Sequence, residues 1–337
     1  MRPAPNQNDS AEIATAGFFV LRTPYLPACT LATLADQIES GHGEPDADSL
    51  ERDRACVHRF LVGLTARPDI AEALHIASPS LSAGLEAWRQ DPTTRSAMRV
   101  ERALLSYASR MSTRATPFGL FAGWSNGDVG PANTLQLGPR DAYRRHADLD
   151  CGYVNSLAEA LQTDPSISER LQYAPNPSIY EAGGRLRYVV ARGSELDLVA
   201  IVPDNALRQV LRCARHGATV DMLIDAVREI EREIAIDEAE EYVETLIEQQ
   251  VVVSNLTRLV TGSNPLDMLR QRLAGLAPKN VVDTLEHVRS LLRNLNSRPA
   301  GTGLGDVRSI AEALRSLPAS VDPARLVRCD LKKPAHA

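Results

Sequence analysis

The sequence has few aromatic residues, very little lysine and no long apolar run. Phe, Trp and Tyr make up 4% of the 337 residues, so the core must be built from Leu, Val, Ile and Ala. Arginine supplies almost all of the positive charge, because only three lysines occur: Lys279, Lys332 and Lys333. No segment approaches the roughly 20 apolar residues of a transmembrane helix, and residues 1–10 lack the apolar centre of a signal peptide. We therefore expect a soluble, cytoplasmic protein without membrane insertion.

The five cysteines are widely scattered and never form a CxxC pair. An odd number without a regular framework is typical of reduced thiols in a cytosolic protein. Histidine and cysteine do not cluster at the spacing of metal ligands, so we expect neither a metal ion nor a bound cofactor. The net charge of −6 argues against non-specific coating of nucleic acid, although a local basic groove remains compatible with an acidic body.

The first half of the chain is expected to be mainly helical after one short strand. A buried strand is predicted at 17–22, because an apolar run there is stopped by Pro24. A helical pattern extends over about 49–110 and is broken at three prolines, Pro68, Pro79 and Pro92. The last helix places three residues at helical spacing, Met98, Leu105 and Ala108. Short apolar runs among Gly, Asn and Pro predict β structure with turns between 119 and 148.

The second half is predicted to place strands before helices. Strands are expected around Tyr173, at 185–191 and at 196–201, with Gly183 and Gly184 as a hairpin turn. Helical patterns follow at 204–215, 220–233 and 237–249, ahead of a β-rich 251–253. This order fits a winged-helix-like module. Further helices are predicted at 265–273, 281–295 and 306–317, and a last strand at 325–331. The fold class is therefore α+β, a mixed helical and antiparallel-sheet domain with an inserted module.

The segment 110–123, RMSTRATPFGLFAG, holds the densest set of residues with chemical potential. Arg110 and Arg114 are four residues apart at the end of a helix, and a proline then forces Thr116 out of helical geometry. Two guanidinium groups above a hydroxyl suit a carboxylate or a phosphate, which arginine binds in bidentate fashion. Taken alone, the pair is more often a solvated face that complements the helix dipole.

The whole string resembles the arginine-rich signature of the lantibiotic dehydratase family, in the N-terminal domain that glutamylates Ser and Thr. Five more landmarks of that family occur in the same order: FFVLRTP at 18–24, ASPSL at 77–81, LDCGYV at 149–154, NPL at 264–266 and CDLKKP at 329–334. Each landmark alone is a weak signal, whereas six in order over nearly the whole chain are specific.

The resemblance implies a reaction and a set of residues. Family members use glutamyl-tRNA as co-substrate to esterify Ser or Thr of a ribosomal precursor peptide in lanthipeptide or thiopeptide biosynthesis, and a separate domain then eliminates glutamate. The family's glutamylation residues carry over to Arg22, Arg110, Arg114, Thr116, Asp150 and Asp330. For Asp150 the alternative is Asp148, two residues away. For Asp330 the alternative is a carboxylate that caps a turn or pairs with an arginine.

The resemblance also implies that 173–255 is a leader-peptide recognition element, which binds the leader by adding a strand to its sheet. The helix at 237–249 carries many Asp and Glu residues, so a DNA-binding use is disfavoured. A purely structural module is the alternative. We accordingly divide the chain into 1–172, with 1–16 disordered, then 173–255, and 256–337.

The family's glutamylation region continues well beyond the residue equivalent to Asp330, so we expect an incomplete catalytic unit. Three interpretations stay open. The chain is one part of a split dehydratase whose second chain carries the remainder, or a truncated piece, or a non-catalytic subunit that only binds the leader peptide. Expected partners are the precursor leader, glutamyl-tRNA and that second chain.

Overall fold

The computed structural model describes residues 16–38, 46–116, 119–131, 134–192, 195–256 and 264–336. Two compact units are each assembled from separate stretches of chain. The first comprises Met1–Ala147, Leu292–Arg308 and Val327–Ala337, and the second comprises Asp148–Leu291 and Ser309–Leu326. The domain limits expected from the sequence stay predictions. Most of the disorder expected at 1–16 concerns residues 1–15, which lie outside the described part.

The described helices and strands alternate in blocks along the chain. The helices are α1 (Cys29–Ala35), α2 (Ala47–Thr65), α3 (Pro68–Ala77), α4 (Pro79–Gln90), α5 (Arg95–Thr113), α6 (Cys151–Gln162), α7 (Pro165–Ser168), α8 (Asn205–Cys213), α9 (Val220–Ile230), α10 (Ile236–Glu248), α11 (Pro265–Leu273), α12 (Lys279–Ser297) and α13 (Leu304–Leu314). The strands are β1 (Phe18–Pro24), β2 (Ala122–Asp128), β3 (Gln136–Leu137), β4 (Arg144–Leu149), β5 (Tyr173–Pro175), β6 (Tyr180–Ala182), β7 (Arg185–Arg192), β8 (Glu195–Ile201), β9 (Val252–Ser254), β10 (Val327–Lys332) and β11 (Ala335–His336). The mixed α+β class is confirmed.

Side-chain caps set the helix starts of the first unit. Asp46, Ser78 and Thr94 each accept a hydrogen bond from a backbone N–H in the first turn of α2, α4 and α5. The helical stretch with breaks at Pro68, Pro79 and Pro92 is thereby confirmed. Helix α1 was not predicted, since its seven residues begin without a side-chain cap. In α5 the helix predicted from the spacing of Met98, Leu105 and Ala108 is present; its buried positions include Ala97, Leu104 and Ala108, whereas Met98 is 46% exposed.

A four-stranded sheet of order β1-β2-β10-β4 is the main sheet. Strand β1 runs antiparallel to β2, and β10 runs parallel to β2. The strand predicted at 17–22 exists, but the prediction that it is buried was wrong. Phe18 is 58% exposed and Val20 54%, because β1 lies at the sheet edge in the described part of the chain.

A buried ion pair holds the returning segment of the first unit against α3. The Glu72 carboxylate contacts the Arg145 guanidinium, and both side chains are fully buried. Arg145 also donates to the backbone oxygen of Leu295. The second Glu72 oxygen accepts from the backbone N–H groups of Gly301 at 2.7 Å and Gly303 at 2.8 Å. Both Glu72 oxygens and the two terminal Arg145 nitrogens therefore have partners, as burial requires, whereas the Arg145 Nε is buried without one in the described part of the chain.

The second unit contains two small antiparallel sheets, β5-β9 and β6-β7-β8. Strands β5 to β8 precede the helices α8, α9 and α10 in the chain, and β9 follows them. The predicted hairpin between β6 and β7 is confirmed. Gly183 and Gly184 have φ values of 61° and 69°, a left-handed conformation that glycine adopts without steric cost. The strand-then-helix order agrees with the sequence-based expectation, while the winged-helix assignment itself stays a prediction. Of the helices that the structure describes, none has the length and apolar content needed to cross a bilayer.

Candidate functional site

The end of α5 presents two arginines in different environments. Arg110 is half-buried, and its guanidinium carbon lies 5.5 Å from the centroid of the Phe121 ring, a cation–π contact. Its Nε is buried without a hydrogen-bond partner in the described part of the chain. Arg114 is the first residue after the helix, where its N–H donates to the Arg110 carbonyl oxygen at 3.1 Å, and it is exposed. Thr116 is half-buried; Pro117 and Phe118 of the same signature lie outside the described residues.

One backbone hydrogen bond connects the segment after α5 with β10. The Gly119 N–H donates to the carbonyl oxygen of Cys329 at 2.6 Å. In the parallel pairing of β10 with β2, Leu331 lies opposite Gly123. Extending this register by one residue puts Asp330 beside Ala122, the residue after Phe121. The strand that carries Asp330 therefore meets the chain just beyond the Arg110–Arg114 pair.

The Asp330 carboxylate is half-buried and uncommitted. Within the described ranges it forms no hydrogen bond and no ion pair, so it neither caps a turn nor pairs with an arginine. A carboxylate that is partly shielded from water and has no internal partner is available to a substrate. An aspartate that caps a helix is already engaged in a hydrogen bond and is less available to a substrate.

Arg22 lies on the exposed face of the same sheet, in a row with Trp124 and Lys332. Both Arg22 on β1 and Lys332 on β10 are direct neighbours of Trp124 on β2. The Lys332 Nζ lies 5.4 Å from the centroid of the Trp124 ring. Asp330 precedes Lys332 by two residues, so it faces the same side of the sheet. We call Arg22, Trp124 and Lys332 the cationic row. The family resemblance implies a role for Arg22, whereas neither Trp124 nor Lys332 is among the residues it implies.

The two residues after β1 are hydrogen-bonded to α5 and to the residue that precedes β2. The Leu26 N–H donates to the carbonyl oxygen of Met111 at 2.8 Å, and the Tyr25 N–H donates to that of Phe121 at 2.9 Å. Five candidate site residues thus lie in one unit, on elements that are connected by short backbone contacts. They are Arg22, Arg110, Arg114, Thr116 and Asp330.

Lys333 is buried on the opposite face of the sheet and links β10 to β1. Its ammonium group donates to the carbonyl oxygens of Thr23 and Pro24 and, at 2.9 Å, to the Thr23 hydroxyl. Burial lowers the pKa of Lys333 to about 8. A side chain at Gly123 would not fit, because its Cβ would lie 2.7 Å from the Lys333 Cγ. Lys333 therefore fixes the strand of Arg22 relative to that of Asp330.

Asp150 and Asp148 both have internal partners in the second unit. Asp150 is the N-cap of α6, and its Oδ1 accepts from the Gly152 N–H at 2.8 Å. Asp148 is buried and accepts a hydrogen bond from the side-chain amide of Asn264. Both carboxylates thus contribute to local structure, and a catalytic role for Asp150 stays a prediction.

A second candidate surface is the outer edge of β8. In the described sheet β8 is paired with β7 alone. The side chains of Leu196 and Leu198 on this strand are 71% and 60% exposed. Beside them lies a groove of about 660 Å³, whose lining includes Tyr173, Val189 and Val252. An exposed strand edge next to an apolar groove is a suitable surface for an extended peptide.

Comparison with known proteins gives one family match that covers most of the chain. Residues 66–337 match the family described as lantibiotic dehydratase, N terminus. The epidermin biosynthesis protein EpiB of Staphylococcus epidermidis is 24% identical over 230 residues, 66% of this chain and 22% of EpiB. The subtilin biosynthesis protein SpaB of Bacillus subtilis is 21% identical over 227 residues, 67% of this chain and 22% of SpaB.

Two solved structures share the fold. The tRNA-dependent lantibiotic dehydratase MibB of Microbispora sp. 107891 matches with a TM-score of 0.66 and 21% identity, over 83% of this chain and 28% of MibB. The glutamylation domain TbtB from thiomuracin biosynthesis matches with a TM-score of 0.57 and 15% identity, over 93% of this chain and 48% of TbtB. The chain spans about a fifth of the length of the curated relatives it matches. The chain belongs to the lantibiotic dehydratase family, in the part that forms its N terminus.

Proposed function

We propose that the protein carrying this chain transfers glutamate from glutamyl-tRNA to Ser or Thr hydroxyls of a ribosomally made precursor peptide. Family membership and the fold shared with a glutamylation domain support this proposal. The structural observation that supports it most strongly is the Gly119–Cys329 hydrogen bond. That bond brings the uncommitted Asp330 carboxylate to the end of the arginine-bearing segment.

The proposed reaction needs little activation, because an aminoacyl ester is already reactive. The peptide hydroxyl oxygen attacks the ester carbonyl carbon, the bond to the tRNA ribose oxygen breaks, and that oxygen leaves with a proton. In this proposal Asp330 accepts the proton of the attacking hydroxyl. Arg110 and Arg114 provide guanidinium groups for the glutamyl carboxylate or the terminal phosphate. Catalysis then rests on positioning and on stabilising the developing negative charge.

The cationic row is suited to hold the tRNA near this site. Arg22 and Lys332 expose positive charge on the sheet face to which Asp330 also belongs. Phosphate contacts of this kind supply much of the affinity of a protein for nucleic acid. An overall negative protein can bind tRNA through such a local patch.

The edge of β8 is our candidate for recognition of the precursor leader. A strand added there would gain backbone hydrogen bonds from β8 and would place alternate side chains against Leu196 and Leu198. The exposure of these two leucines on an edge strand favours a peptide ligand over a purely structural module. This role also fits a subunit that binds the leader without catalysing transfer.

Transfer of labelled glutamate tests the proposal. The enzyme that carries this chain, completed where needed by the polypeptide with the rest of the dehydratase, is mixed with the precursor peptide and [¹⁴C]glutamyl-tRNA. We expect ester-linked label on the peptide from the charged tRNA and none from free glutamate with ATP. Binding of the leader without any transfer would instead identify a recognition subunit.

A further inference from the structure

The second unit has a small cavity next to the edge of β8, on the sheet face opposite Leu196 and Leu198. It measures about 400 Å³, and its lining includes Tyr188, Val190, Val199 and Glu248. Val199 of β8 lies directly opposite Tyr188 of β7, so both side chains point to this face. We call it the α10 pocket, because Glu248 is the last residue of α10.

The other long side of β7 is already closed by side chains. The Gln250 amide makes both hydrogen bonds of a strand neighbour with Ala191, at 2.9 Å each. Ser178 accepts from the Val189 N–H at 2.8 Å, and Asn176 donates to the Val189 carbonyl oxygen at 3.0 Å. Polar side chains thus form hydrogen bonds with the backbone N–H and C=O groups of β7 that β6 does not pair. An added strand would therefore pair with the edge of β8.

Three features make the α10 pocket attractive for a positive charge at the end of an apolar stem. Val190, Val199 and the Tyr188 ring form an apolar wall. The buried Tyr188 hydroxyl has no hydrogen-bond partner in the described part of the chain, so its oxygen is free to accept. The C-terminal end of α10, where backbone carbonyls carry partial negative charge, adjoins the Glu248 carboxylate.

Negative charge predominates around the pocket. One positive group, Arg192, lines it, and the Arg192 Nε lies 3.5 Å from the Asp197 carboxylate. Glu195 lies on the same face of β8 as Asp197 and Val199. Besides Glu248, the exposed surface of α10 adds five carboxylates: Asp237, Glu238, Glu240, Glu241 and Glu244. A field of this sign attracts cationic ligands and repels acidic ones.

We infer that the α10 pocket receives a Lys or Arg side chain of the peptide docked on β8, next to an apolar residue that packs on Leu196 and Leu198. Successive residues of a strand face opposite sides, so the two contacts fall on neighbouring positions of the peptide. This inference rests on the proposed leader recognition and names the chemistry that it selects: a basic residue beside an apolar one.

Selection from a randomised peptide display library by the full 337-residue chain tests this inference. We expect enriched peptides to place Lys or Arg beside an aliphatic residue. Fluorescence anisotropy with one selected peptide should show binding about tenfold weaker for the double variant Tyr188→Phe with Glu248→Gln. Asp225→Asn, which removes an exposed carboxylate on α9 outside the pocket lining, should bind as the parent does. The double variant's own selection should keep the apolar position and lose the basic one.

The possible failures are distinguishable. Enriched peptides without a basic residue, or with an acidic one in its place, would overturn the inference and leave strand recognition intact. Methylating the backbone nitrogens of alternate peptide residues should abolish binding for one set of positions and spare it for the other. Equal binding of both methylated sets, or no enriched peptide at all, would overturn recognition by β8 together with the pocket.

Discussion

The Gly119 N–H and the Cys329 carbonyl oxygen are joined by a 2.6 Å hydrogen bond. Gly119 belongs to the family signature after α5, whereas Cys329 immediately precedes Asp330 on β10. Together with the pairing of β10 and β2, this contact joins two family landmarks that are far apart in the sequence. It also makes Asp330 the carboxylate to test first.

Replacing Asp330 with Asn should separate catalysis from folding. Since the carboxylate has no partner within the described residues, we expect the free energy of unfolding to change by less than about 0.5 kcal/mol. If Asp330 takes the hydroxyl proton, the rate of glutamyl transfer should fall about 10²- to 10⁴-fold. Urea unfolding and single-turnover transfer measure the two effects, with Asp128→Asn, at the exposed end of β2, as the matched control.

Lys332 should contribute to tRNA affinity as a phosphate contact. Replacing Lys332 with Gln removes one cation of the cationic row, so the slope of log K against log salt should decrease by about 0.7 to 0.9. Binding of glutamyl-tRNA by the complete enzyme at several salt concentrations gives this slope. Arg185→Gln, an exposed cation on β7, should leave the slope unchanged. An unaltered slope for the Lys332 variant would remove the row from the tRNA site.

Lys333 should make the free energy of unfolding depend on pH in the alkaline range. Burial lowers the pKa of Lys333 from 10.5 to about 8. The unfolded chain therefore binds more protons than the folded chain between pH 8 and 10.5, and this group's contribution to stability rises with pH across that window. The difference in unfolding free energy between the parent and Lys333→Met should rise by up to about 1 kcal/mol per pH unit from pH 8 to 9.5. A flat difference would show that the lysine titrates normally.

The buried Glu72–Arg145 pair should show strong coupling. Replacing Glu72 with Gln leaves a buried guanidinium charge without its counter-charge, so we expect a loss of about 3 to 5 kcal/mol in unfolding free energy. Arg145→Met should have a similar effect. The double variant should be more stable than the sum of the single losses by about 1 to 3 kcal/mol. Additive losses would mean that the two groups stabilise the fold independently.

Local features of the sequence predicted local structure well. The helix breaks at Pro68, Pro79 and Pro92 and the Gly183-Gly184 turn follow from backbone restrictions that act within a few residues. The prediction that β1 is buried failed for a different reason. Its apolar run is compatible with a central or an edge strand, and only the sheet order distinguishes the two.

The candidate site was predictable in part. The Arg110 signature and Asp330 stood out because they match a family pattern, whereas Trp124 and Lys332 join Arg22 only through strand register. The Lys333 contact with Thr23 joins opposite ends of the chain. No local pattern encodes such a contact.

The most direct test of the transfer site compares two properties of one variant, Arg114→Ala, in the complete enzyme. Because Arg114 is exposed just beyond α5 and is proposed to hold the glutamyl donor, transfer from glutamyl-tRNA should fall at least about 10²-fold. The dissociation constant for the precursor leader should stay the same, as it should for the control Arg102→Ala on the exposed side of α5. An equal loss of transfer and leader affinity in the Arg114 variant would contradict the account and assign this arginine a structural role.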